Sequence, residues 1–106
     1  VETCVAGRIY NNGQTCVNAK RFIVTDRNHE AFVEAYVEKF RAIAMGDPTD
    51  EKTALGPLVS KAQRDKLHEQ VEESVAKGAR VLIGGEPIAG THAAHRAHGV
   101  GGHWPC

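Results

Sequence analysis

An α/β fold, a piece of parallel sheet crossed by helices, is what this 106-residue chain predicts. Three observations carry that expectation. Two short runs rich in apolar and β-branched residues, "RFIVT" (Arg21 to Thr25) and "ARVLIGG" (from Ala79), read as strands. Between them lie two stretches with apolar residues at helical spacing. The resulting order is helix, turn, strand, helix, helix, strand, and two strands joined by a helical crossover form a unit of parallel sheet. Two strands alone do not make a stable parallel sheet, so neighbouring strands are expected outside this chain.

Each element has its own reason. Residues 1–12 read as the end of a helix, with Val1, Val5 and Ile9 on one side and Gly7 weakening it. Asn11-Asn12-Gly13 is turn chemistry, because Asn and Gly tolerate positive φ. Asp26-Arg27-Asn28 ends the first strand and offers an N-cap. From His29 to Met45, Phe32, Val33, Tyr36, Val37, Phe40, Ile43 and Ala44 share a helical face, with Gly46 and Asp47-Pro48 as the stop. A polar loop runs to Gly56-Pro57. Ser60 and Gln63 then make a capping-box pattern, Leu67, Val71 and Val75 continue at helical spacing, and Gly78 ends the helix. The apolar centre of "ARVLIGG" fits a buried parallel strand.

Composition narrows the function. Thirteen basic and thirteen acidic residues give a formal net charge of zero, so no field draws the chain to nucleic acid or to an anionic membrane. No apolar run approaches the ~18 residues that a membrane span needs. The opening "VETCVAGRIY" has neither an initiator Met nor a secretory pattern, and reads as a chain cut from something longer. Cys4, Cys16 and Cys106 are too few and too odd in number for a disulfide framework, and suit a reducing cytoplasm.

Cys16 follows the Asn/Gly turn and precedes a strand. Two readings stand side by side: a small buried hydrophobe, or a thiol presented as a nucleophile. Cys4 matches no motif and reads as packing. Lys20 and Arg21 bracket a strand end, with anion binding as the weaker reading.

The stretch "NNGQTCVNAKRFIVTD", with its Gly-Gln-x-Cys core, resembles the catalytic-cysteine signature of the aldehyde dehydrogenase superfamily. Downstream, "MGDPTDEKTALGPLVS" resembles the family's loop between two helices, and "VEESVAKGARVLIGGE" its next helix and strand. The resemblance covers roughly residues 1–90 and is nearest to the succinate-semialdehyde dehydrogenases. It implies a fragment of the α/β catalytic domain of an enzyme that oxidises a small aldehyde with NAD or NADP. It also implies that the parent is a homo-oligomer. By the same resemblance, Cys16 is the nucleophile, and its backbone N–H contributes to the oxyanion hole. Asn12, Gly13 and Gln14 are motif residues, and they shape the turn. The chemistry suits a thiol. Its thiolate adds to the carbonyl, the adduct loses hydride, and the thioester left behind is hydrolysed.

The family's other machinery does not match here. Its catalytic Glu and oxyanion-hole Asn lie upstream, and a cofactor-contacting Glu lies downstream. No Gly-x-Gly-x-x-Gly loop is present, so no cofactor-binding residue and no cofactor is expected for these residues alone. After about residue 90 the pattern is lost. A one-base shift in the back-translation of Ala93 to His98 permits the family's Pro-Pro-Thr-Val-Leu, which fits a frameshift. Residues 91–106 are therefore expected to form an out-of-frame tail that packs against nothing. A metal site from His92, His95, His98, His103 and Cys106 is the rival reading, set aside for want of a scaffold. The chain is thus expected to be inactive alone. The alternative from another class is a non-enzymatic fragment or small binding module with an inert Cys16.

Overall fold

The structure, a computed structural model, describes residues 1–88 and, for the backbone alone, residues 99–101. The chain divides into two units, Val1–Leu55 and Gly56–Cys106.

In the first unit, α1 (Glu2–Ile9) packs on α2 (Asp26–Arg41). α1 buries Val5, and α2 buries Tyr36 and Phe40. These two aromatics are spaced i, i+4 and meet at 4.8 Å between ring centroids. Tyr36 also stacks on Phe32 at 5.6 Å, and Phe22 lies 5.4 Å from Tyr36 and 6.1 Å from Phe32. Edge and offset contacts of this kind add to plain burial. Outside the cluster, Lys39 donates to Glu2 at 2.7 Å. That hydrogen bond holds the Glu2 carboxyl below its ordinary range.

The segment Arg21 to Thr25 differs from expectation. Phe22 and Val24 are half-buried while Ile23 is 99% exposed, so the two-residue alternation of a strand is present. The ladder is not, because among the described residues no neighbouring strand pairs with it.

The second helix is also displaced. It starts at Asp26 from an N-cap at Thr25, not within Asp26 to Asn28, and it ends at Arg41, not Met45. The reason is a competing set of backbone bonds. Ala54 N and Leu55 N donate to Ala44 O at 2.9 and 3.0 Å, and Gly46 N donates to Leu55 O at 3.2 Å. The isolated parallel bridge Met45–Leu55 that results goes with a buried Leu55.

In the second unit, α3 (Lys61–Ala76) begins as its sequence indicates. The Ser60 hydroxyl accepts from Gln63 N at 3.2 Å. It ends in a Schellman turn with Gly78 at φ +99°, where Gly78 N donates to Val75 O and Ala79 N to Ser74 O. Val71 is buried and Leu67 half-buried, but Val75 is exposed. β1 (Arg80–Ile83) pairs with β2 (Gly99–Gly101), and the pairing is antiparallel, not parallel. Gly101 faces Arg80 and Gly99 faces Ile83, with an irregularity between Val81 and Ile83. The backbone of 99–101 therefore does not pack against nothing. Residues 89–98 and 102–106, on which the rest of the out-of-frame tail and the metal reading fall, lie outside the described residues.

Candidate active site

Cys16 is presented by a loop whose shape follows from the residues on either side. α1 stops because Tyr10 leaves helical geometry, at φ −49° and ψ 129°. Asn11, Asn12 and Gly13 then take φ of 48°, 56° and 73°, three consecutive left-handed residues. Only Gly, and to a lesser degree Asn, adopts that region at small cost, which explains the composition of "NNG". The reversal closes with Gln14 N donating to Asn11 O at 3.1 Å. Gln14 itself is exposed.

A second, tighter turn follows directly. Asn18 N donates to Thr15 O at 3.3 Å, so Cys16 and Val17 occupy its two central positions. Both are exposed. Among the described residues, neither the Cys16 nor the Val17 backbone N–H has a hydrogen-bond acceptor. The thiol is free.

What holds this turn is Asn18, the only buried polar side chain among the described residues, at 4% exposure. Its Oδ1 accepts from Thr15 N at 2.7 Å and from Thr15 Oγ1 at 2.6 Å. Its Nδ2 donates to Tyr10 O at 2.8 Å and to Gly7 O at 3.2 Å. All four hydrogen-bonding positions of the amide are filled. The side chain thereby ties the Cys16 turn to the carbonyl end of α1, and Ala19 N adds a bond to Gly7 O at 3.0 Å. The Lys20 ammonium covers the same turn from outside. It donates to Cys16 O at 2.9 Å and Asn18 O at 3.0 Å, with Thr15 O at 3.5 Å.

Sequence reasoning named Asn12, Gly13, Gln14 and Cys16, and the structure brings all four onto one loop. It missed Asn18, and it read Lys20 as bracketing a strand end, with anion binding as the weaker reading, not as a cover over this turn. A signal for Asn18 existed, since Thr15-x-x-Asn18 has turn-forming residues at both ends. Its bonds to Gly7 and Tyr10 had no such signal. Cys4 is half-buried on α1.

An exposed thiol beside uncommitted backbone N–H groups suits covalent chemistry at a carbonyl, where the N–H groups can receive the developing oxyanion. A dinucleotide is a separate question. It wants a glycine-rich turn between a strand and the N-terminus of a helix. Here α2 opens with Asp26, whose carboxylate repels a pyrophosphate, and the Ser60 hydroxyl at the start of α3 is already engaged by its own helix. Gly84 and Gly85 follow β1 with φ of 69° and 87° but lead into no helix among the described residues. These residues do not fit the cofactor. Among them there is also no group of three or more His, Cys, Asp or Glu placed to hold a metal ion.

The chain belongs to the aldehyde dehydrogenase family, whose profile matches residues 1–99. It is 51% identical over 90 residues to the succinate semialdehyde dehydrogenase [NAD(P)+] Sad of Escherichia coli K12. It is 47% identical over 90 residues to the succinate-semialdehyde dehydrogenase [NADP(+)] 1 of Mycobacterium ulcerans. Each alignment takes in 85% of this chain and 20% of the relative, so the chain spans about a fifth of their length. Among solved structures, the succinate-semialdehyde dehydrogenase of Burkholderia pseudomallei superposes with a TM-score of 0.91 at 32% identity, covering 98% of this chain and 22% of that one. The NAD+ complex of the Bacillus cereus aldehyde dehydrogenase gives 0.89 at 28% identity, covering 93% and 20%. The described elements are thus a piece of an α/β catalytic domain, as the sequence predicts.

Proposed function

We propose that this chain is the nucleophile-bearing segment of an enzyme that oxidises succinate semialdehyde to succinate with NAD or NADP, and that Cys16 is the nucleophile. The observation that carries the reading is the clamped turn. It leaves Cys16 Sγ exposed beside two backbone N–H groups without acceptors, in a region about half identical to two succinate-semialdehyde dehydrogenases.

The step these residues perform is addition. The Cys16 thiolate attacks the aldehyde carbon, a C–S bond forms, and the carbonyl π electrons move to oxygen. The Cys16 N–H, and Val17 N–H beside it, donate to that oxyanion. Asn12 and Gly13 hold the left-handed reversal ahead of the turn, and Gln14 completes it. The oxidation that follows needs a hydride acceptor, and hydrolysis of the acyl group needs a base. Both belong to residues other than those described. A sparse set of free thiols fits work in the reducing cytoplasm. No helix among the described residues is long and apolar enough to cross a membrane.

The test is protection. Succinate semialdehyde in excess should slow iodoacetamide alkylation of Cys16, read by peptide mapping, and leave Cys4 unchanged. Equal protection of both cysteines, or of neither, defeats the assignment.

A further inference from the structure

We infer that Asn18 is a positioning residue for the reaction at Cys16. Its side-chain amide fixes the backbone N–H of the Cys16 turn relative to the thiol, so that the carbonyl adduct meets a donor. This rests on the reading of Cys16 as the nucleophile.

The geometry supports the role in three ways. Asn18 is buried at 4% exposure within a loop whose other polar residues are exposed or half-buried, and burying an amide is unfavourable unless every polar atom is partnered. It is fully partnered, and the four bonds go to two separate places. Two reach Thr15, at the start of the turn, and two reach the carbonyls of Gly7 and Tyr10 on and just past α1. The bonds therefore set where the turn sits as well as its shape. These two bonds bridge the Cys16 turn to α1. Addition to a carbonyl depends on that placement, since the donor must lie where the oxyanion will form. Alkylation by iodoacetamide does not, because displacement of iodide develops no oxyanion. The two reactions separate positioning from exposure and from thiolate fraction.

The experiment treats the 106-residue chain with p-nitrophenyl acetate and, in parallel, with iodoacetamide. In the first reaction Cys16 Sγ bonds to the acetyl carbon, the ester C–O bond breaks, and p-nitrophenolate leaves. The ratio of acylation to alkylation at each cysteine is read by peptide mapping, with Cys4 as the internal reference. The wild-type ratio should be higher at Cys16 than at Cys4. Asn18→Ala should lower the Cys16 ratio roughly tenfold, with alkylation of Cys16 and both rates at Cys4 unchanged. If Asn18→Ala loses its far-UV helical signal, Thr15→Val carries the test, since it deletes only the hydroxyl bond to Oδ1; a few-fold fall in the ratio is then expected. An unchanged Cys16 ratio in a folded variant overturns the role of Asn18 and leaves the nucleophile standing. A wild-type ratio no higher at Cys16 than at Cys4 overturns both together.

Discussion

Two glycines on either side of the α1 terminus do opposite work, and substitution separates them. Gly7 lies inside α1, where a Cβ would meet only Ala19 Cβ at 3.9 Å, an ordinary contact. Gly in a helix interior costs about 0.5–1 kcal/mol relative to Ala. Gly7→Ala should therefore raise the denaturation midpoint. Gly13 sits at φ +73°, and a Cβ there would lie 3.4 Å from Arg8 O. Left-handed backbone costs a residue with a Cβ about 1–2 kcal/mol, so Gly13→Ala should lower the midpoint by a corresponding amount. Urea denaturation of the two variants checks the pair, and a shift of the same sign in both would contradict the left-handed reversal. The sequence made Gly13 legible through its neighbours, since "NNG" is turn chemistry wherever it occurs. It did not make the tie from Asn18 to α1 legible, because an amide's bonds to carbonyls eight and eleven residues back leave no local pattern.

Among the elements, those read correctly were those whose ends are decided locally. Ser60 with Gln63, and Gly78, set the limits of α3 within one turn of chain. The end of α2 was misread because it depends on Leu55, ten residues past Met45, whose backbone pairs there. The Arg21 to Thr25 strand was misread for a related reason. Its alternation is local, but its ladder needs a partner. The aromatic face of α2 was legible and makes a prediction about pH. Burial pushes the Tyr36 phenol from its ordinary 10.0 up to about 12, slightly offset by Arg8. Above pH 10.0 the unfolded chain gives up this proton while the folded chain keeps it. The folded state binds more protons there, so the contribution is whole below pH 10.0 and is lost as pH rises to about 12. Denaturation midpoints across that window should fall more steeply for the wild type than for Tyr36→Phe. Parallel curves would mean the phenol is not shielded from water.

At the scale of the molecule, the first unit presents an exposed thiol at Cys16, the proposed nucleophile, but its described residues do not supply the partners that oxidation requires. Exposed apolar side chains in that unit, Ile23 at 99% and Val17 at 76%, lie on its extended segment and in the Cys16 turn. The 90 residues aligned with the succinate-semialdehyde dehydrogenases are only 20% of those relatives. The described helix N-termini and glycine turns do not fit a dinucleotide. Without a nicotinamide held against the adduct, the hydride has no acceptor, and the thiohemiacetal can only revert to aldehyde. Addition and its reversal consume nothing and produce no acid. The 106 residues alone should therefore bind succinate semialdehyde reversibly at Cys16 and produce no reduced cofactor. Purified chain given the aldehyde with NAD or NADP, followed by the absorbance of the reduced nicotinamide, makes the measurement, with Cys16→Ala as the blank. Turnover above that blank would require a hydride acceptor site within these 106 residues and would refute the separation of addition from oxidation.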